Sequence, residues 1–183
     1  PAPRRRLSRQ RRRTLILDAA LTAFAIDGYK RDSLDRIAAR SGISKPVLYD
    51  HFASKRELYI AVLAQQVDAL RGRVFPPATS PAATPRERLR LSVLAALSFA
   101  RERPSAWRLL FQEPIGDVEI ARAFGEMRAA ATDAVAAVIA ANGFKPPKGV
   151  DPDLAARAAA GMLMAAAESL GDHALENPSV DLD

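Results

Sequence analysis

Within the seventeen residues ARSGISKPVLYDHFASK, from Ala39 to Lys55, the chain gathers side chains suited to one kind of chemistry, contact with a polyanion. Lys45 and Lys55 carry full positive charge, Tyr49 and His51 offer hydrogen-bond donors, and Ser44, like Ser33 just upstream of the stretch, can cap a helix and is a candidate for DNA contact. Catalytic chemistry lacks material. There is no cysteine, and the histidines are His51 and His173 alone, so a nucleophile paired with His, a cluster of zinc ligands and a Gly-rich phosphate loop have nothing to be built from. Acidic pairs fall on charged helix faces. The expectation is a protein that is not an enzyme and uses no cofactor and no metal.

Charge supports the same direction. The net charge is +6, but residues 1–56 hold 14 Lys and Arg against 5 Asp and Glu, while the remainder is mildly acidic. A basic first third suggests that one end meets a polyanion and the other has a different task. The run from Arg4 to Arg13 is either a solvated tail or an arm that adds phosphate and minor-groove contacts. With no cysteine, no apolar run of about 18 residues and no cleavable leader pattern, the expected setting is cytoplasmic, with no membrane partner.

The elements that must position these residues read as helices throughout, because alanine is abundant and no β-branched run alternates at period two. A first helix is expected over roughly 11–27, stopped at Gly28. Ser33 caps a second that ends at Gly42, Ser44 caps a short one over 45–51, and the capping box Ser54-Lys-Arg-Glu57 opens a longer one to about Arg73. VFPPATSPAATP then reads as a linker or surface loop. Further helices are expected over 85–103, 104–112, 117–141 and 151–176.

On a helical wheel Leu48 and Phe52 share one face of the 45–51 helix and anchor it on Ile37, Ala38 and the first helix. The opposite side is left for a partner. Two short helices joined at a glycine turn form a helix-turn-helix, whose second helix enters a DNA major groove. Lys45, Pro46, Val47 and Asp50 are then the candidates for base edges, Asp50 alternatively pairing with a nearby Arg. Tyr49, His51, Lys55 and the helix N-termini at Ser44 and Ser54 are candidates for phosphates.

The stretch ILDAALTAFAIDGYKRDSLDRIAARSGISKPVLYDHFASKRELYIAVL resembles the DNA-binding region of the tetracycline-repressor (TetR) family, with a first helix ending in DGY, a Ser-Leu-x-x-Ile-Ala opening and SGISKPVLYDHFASKREL after it. The resemblance implies an all-α protein: residues 1–10 as a basic flexible arm, 11–56 as a three-helix DNA-binding head, and 57–183 as a helical body for effector binding and dimerisation. Tyr49 and Lys55 match the family's phosphate contacts, and Lys45, Pro46, Val47 and Asp50 its base-facing positions. The family's final dimerisation helix would begin at about Asp183. What the resemblance implies is a homodimeric repressor on a pseudo-palindromic double-stranded operator, released by a small molecule.

Beyond about residue 70 the resemblance is one of helix order. Phe99, Trp107, Leu110, Phe111, Phe124, Met127 and Met162 are the large apolar residues available either as plain core or as the lining of an apolar or amphipathic effector's pocket. The Ala- and Gly-rich last helix permits close approach of a second copy, or packs internally. Two other readings stay open: a DNA-binding architectural protein without an effector, and a helical interaction module whose basic end is incidental.

Overall fold

The computed structural model describes residues 8–111 and 117–177, and these form eight α-helices with no strand among them. The expected arm falls mostly on residues 1–7, outside the described residues. Arg9 and Arg11–Arg13 belong to the first helix instead, because Ser8 caps it through a bond from the Arg11 amide at 3.1 Å.

The head comprises α1 (Arg9–Arg31), α2 (Leu34–Ser41) and α3 (Lys45–Tyr49). Helix α1 runs past its expected end but breaks at Gly28, where φ 73° and ψ 166° suit a residue without a side chain. Gly42, at φ 66°, closes α2 in the left-handed region and turns the chain toward α3. Ile16, Ala20, Ala23, Ile37 and Leu48 are fully buried and Phe52 nearly so, so the expected anchor of α3 is in place.

Helix α4 (Lys55–Ala78) links head to body. It opens on the expected capping box: Ser54 Oγ accepts from the Glu57 amide at 3.1 Å, and Glu57 Oε2 accepts from the Ala53 amide at 2.7 Å. It also runs through Pro76 and Pro77, where a loop is expected. Both prolines sit in the final turn, and Thr79 closes the end with its amide and hydroxyl on the Phe75 carbonyl, at 3.0 and 2.9 Å. Each proline forfeits its own amide bond to the carbonyl four residues back, and the helix ends one residue beyond Pro77.

The body continues with α5 (Pro85–Glu102), α6 (Pro104–Phe111), α7 (Val118–Ala141) and α8 (Pro152–Glu176), close to the expected ranges. One hydrophobic cluster runs from Ile16 and Leu48 in the head through Leu58 and Val62 of α4 to Phe99, Trp107, Leu110 and Phe124. Helix α6 packs against α1 as well as α4 and α5, so the body grips the head directly. At the far side, a methyl on Gly171 of α8 would fall inside the Trp107 ring, and the Trp107 Nε1–H donates to Asp172 Oδ1 at 2.9 Å. No helix among the described residues is long and apolar enough to cross a membrane.

Candidate nucleic-acid interface and apolar chambers

Helix α3 turns Leu48 inward and leaves Lys45, Pro46, Tyr49 and Asp50 exposed, with Val47 half-buried at the flank. A five-residue helix keeps this posture only because it is wedged on both sides, by Ile43 before it and Phe52 after it, both buried. Lys45 Nζ lies 2.8 Å from Asp35 Oδ2 of α2, and that contact raises its pKa. Both partners are more than half exposed, so the pair gives way to a base or phosphate at small cost. Asp50 makes no ion pair among the described residues; the Arg partner anticipated for it is absent.

The serines part company. Ser33 Oγ accepts from the Arg36 amide at 3.3 Å and is a working cap. Ser44 occupies the cap position of α3 but makes no capping bond, so the Lys45 and Val47 amides and the hydroxyl itself remain open to an anion, Pro46 having no N–H.

Lys55 differs from expectation. Its ammonium faces inward, donating to the carbonyls of Tyr29 at 2.8 Å and Asp32 at 3.1 Å and lying 4.3 Å from the Tyr29 ring centre. The break at Gly28 exposes these carbonyls at the end of α1, and a cation satisfies them. Lys55 therefore orients the start of α4. Much of the positive field comes from α1 instead, where Arg9, Arg11, Arg12 and Arg13 have no ion pair among the described residues. His51 sits beside them, and burial first, then the charges of Arg9, Arg12 and Arg13, hold its pKa below the ordinary value. Arg13 stacks 4.5 Å from the Phe52 ring centre.

Two groups of contacts escaped the sequence reading. Asp32, with a fully buried side chain, and Asp27 hold Arg36 and Arg40 of α2 at 3.1–3.6 Å, so these arginines brace the head. Arg56 reaches across to the body, with NH2 3.1 Å from Asp117 Oδ2 and NH1 2.5 Å from Glu119 Oε2. Burial by itself would raise the Asp117 carboxyl, but the Ile120 amide, Arg56 and the Glu119 amide together bring it below the usual carboxylate value. Asp117 caps α7, so this bridge ties the first turn of α4 to the first turn of α7. Pairing over 61 positions leaves no local signature in a sequence.

The body carries two apolar chambers, both open in part to solvent. One, of about 310 Å³, is lined by Trp107, Leu110, Phe111 and Met127, four of the seven expected lining residues. The other, of about 510 Å³, lies toward the far ends of α5 and α7 and is bounded by Leu89, Val93, Ile139, Phe144 and Leu163. Val74, Phe75, Ala96, Val135, Met164 and Ala167 line both. The three remaining expected residues lie elsewhere. Phe99 is fully buried in the core that joins α5 to α4 and α6, and Phe124 is 6% exposed in that same cluster; both are packing residues because their helix faces point at neighbouring helices. Met162 is 69% exposed on the outer side of α8. Val74 and Phe75 were missed because the prolines after them suggested a loop.

The outer side of α8 carries a continuous ridge at four-residue spacing, Leu154, Ala158, Met162, Ala166 and Leu170, all exposed. Such i±4 ridges interdigitate when two helices pack.

Comparison with known proteins agrees with this geometry. The family model described as "Bacterial regulatory proteins, tetR family" matches residues 16–62. The chain is 40% identical over 131 residues to the HTH-type transcriptional activator FasR of Mycolicibacterium smegmatis, covering 71% of this chain and 59% of the relative. It is 38% identical over 100 residues to the HTH-type transcriptional regulator RutR of Escherichia coli K12, covering 54% of this chain and 45% of the relative. It thus spans about half the length of these relatives. Among solved structures, a TetR-like transcriptional regulator from Rhodococcus sp. RHA1 superposes with a TM-score of 0.75 at 28% identity, over 97% of this chain and 91% of that one. FadR from Bacillus subtilis, solved in complex with stearoyl-CoA, shares the fold, with a TM-score of 0.74 at 19% identity over 92% of this chain and 90% of its own.

Proposed function

We propose that this chain, which belongs to the tetR family of bacterial regulatory proteins, is a sequence-specific DNA-binding transcriptional regulator, a repressor released from a pseudo-palindromic operator by a small apolar or amphipathic effector. The observation that carries this reading is that α4 and α6 each line an apolar chamber and each pack against α1 of the head. An occupant and the DNA therefore act on the same two helices.

On the DNA side, α3 enters the major groove with Lys45, Pro46, Val47 and Asp50 toward base edges, while Tyr49, Ser44, His51 and the α1 arginines meet phosphates. Ser33 and Lys55 hold the head in shape, and the third N–H of Lys55 is left for a phosphate. On the body side, the α8 ridge meets its copy across a two-fold axis and makes a homodimer, in which Met162 is a contact residue. The dimer sets the distance between the two α3 helices, which must be about 34–36 Å for successive major grooves. A ligand that spreads α4 from α7 changes that distance, and a coupling of about 1–3 kcal/mol alters DNA affinity roughly 5–150-fold. A repressor follows wherever the operator overlaps a promoter.

Selection of bound duplexes from a random DNA pool tests the reading. A two-fold symmetric site, lost on addition of an amphiphile that fills the chambers, is the expected result. Enrichment of no sequence would return the chain to an architectural or interaction role.

A further inference from the structure

Three guanidinium groups line the two apolar chambers: Arg71 and Arg128 on the first and Arg88 on the second. A charge beside an apolar space is costly unless it is neutralised. Two of the three meet that demand within the chain. Arg71 pairs with Asp68 at 3.1 Å, and Arg128 pairs with Glu168 at 3.0 Å while also lying near the rings of Phe111 and Phe124.

Arg88 is different. It makes no ion pair among the described residues. Its NH1 donates to Asn142 Oδ1, a neutral oxygen, and its Nε is buried with no acceptor. Asn142 is the cap of α7, so the negative end of that helix dipole explains why a cation rests there. A helix end supplies only about half a charge, however, and no carboxylate. The other polar side chain of the wall, Ser92, is spent on backbone, donating to the carbonyls of Arg88 at 2.8 Å and Val74 at 3.2 Å. Every further side chain of that chamber apart from Asn142 is apolar.

The geometry points to an effector with one compact anionic head and a long apolar tail: a single-chain carboxylate whose head neutralises Arg88 and whose tail lies along Ala96 and Val135 toward Trp107 and Phe111. A monoanion matches the single uncompensated cation, and a planar carboxylate matches the guanidinium. This assignment rests on the effector reading above and narrows it to a ligand class.

The test uses Trp107, the chain's single tryptophan, which lines the first chamber and reports its occupation by fluorescence. Hexadecanoate, hexadecan-1-ol and hexadecanoyl-CoA are titrated into the full chain and into Arg88→Gln and Arg88→Lys, with thermal melts to verify that each variant folds. Hexadecanoate is expected to bind at least about ten-fold tighter than the alcohol, as a charge-assisted contact implies. Arg88→Gln is expected to reduce hexadecanoate to the alcohol's affinity without changing the alcohol, and Arg88→Lys to restore part of the preference. Equal affinity of acid and alcohol, a preference that survives Arg88→Gln, tighter binding of the thioester than of the acid, or no response to any of the three would overturn the assignment. Release of the selected operator duplex is measured alongside. An alcohol or thioester that binds and releases DNA equally in both proteins would leave the effector reading standing while removing the anionic head; no binding and no release by any of the three would count against both.

Discussion

Where the head meets the start of α4, Ile16, Ile37, Leu48 and Leu58 are all 0% exposed, and bulky residues from four helices interdigitate around them. Between α7 and α8 the separate buried cluster consists of Ala136, Ala156 and Ala160, with Val135 and Ile139 beside it. Both regions are helical and both are apolar inside, yet one is filled and the other leaves chambers of about 310 and 510 Å³. The difference is side-chain volume. Helices rich in alanine form readily and pack closely to one neighbour, but cannot fill the space at the centre of four helices. A filled head holds α3 in one posture, whereas an unfilled body leaves room for a ligand.

The filled head is most vulnerable at Leu48. Leu48→Ala is expected to cost about 3 kcal/mol and to abolish specific DNA binding, because the cavity opens under α3 itself. Calorimetry should show a single transition, since one cluster spans head and body; a head that melts apart from the body would mean that the cluster does not couple them.

Enlarging one alanine in each region probes the space available there. Ala20→Leu, in the filled head, is expected to destabilise by about 1–3 kcal/mol. Ala131→Leu, on the chamber wall, is expected to leave the melting temperature unchanged or raised while the response to amphiphile falls. Thermal melts and operator release distinguish the two, and equal destabilisation would mean that the body is as full as the head.

Within the DNA surface, Tyr49→Phe is expected to weaken binding to all sequences by about 0.5–1.5 kcal/mol, the worth of one hydrogen bond. Lys45→Ala should instead alter the selected sequence. Competitive binding on specific and random duplexes separates phosphate contact from base contact.

Arg56→Gln tests the bridge between the regions. Arg56 and Glu119 are exposed, and half-buried Asp117 keeps its capping bonds to the Glu119 and Ile120 amides, so the melting temperature should fall only slightly. The effector concentration that releases DNA should change several-fold, because α4 and α7 lose their tie. An unchanged release curve would reduce the bridge to a surface ion pair.

The smallest effect concerns His51. Its depressed pKa means that the folded chain holds that proton less tightly than the unfolded chain. The resulting stability is fully present above the ordinary histidine value near pH 6.5 and is lost as pH falls through the lower folded value. His51→Gln should flatten the melting temperature across that acid window, and an unaltered slope would place the titration elsewhere.

Much of this molecule follows from local chemistry. The caps at Ser33, Ser54, Thr84, Asp117 and Asp151 open five of the helices, the glycines at 28 and 42 break or end two, and the Leu48–Phe52 spacing sets the outward face of α3, because caps, turns and amphipathic periods act over three or four residues. The prolines at 76 and 77 do not stop α4 at Arg73 as expected, because the helix carries both in its last turn and closes at Thr79. Tertiary structure alone decided which aromatics are core and which face a cavity. Phe99 and Phe111 share a type and a plausible spacing, yet one is walled in by α4 and α6 while the other borders empty space. Tertiary structure also turned Lys55 inward, joined Arg56 to Asp117, and left Arg88 beside an apolar space without a carboxylate. Each of these depends on which distant groups share a volume, and a void or a missing partner has no residue of its own to announce it.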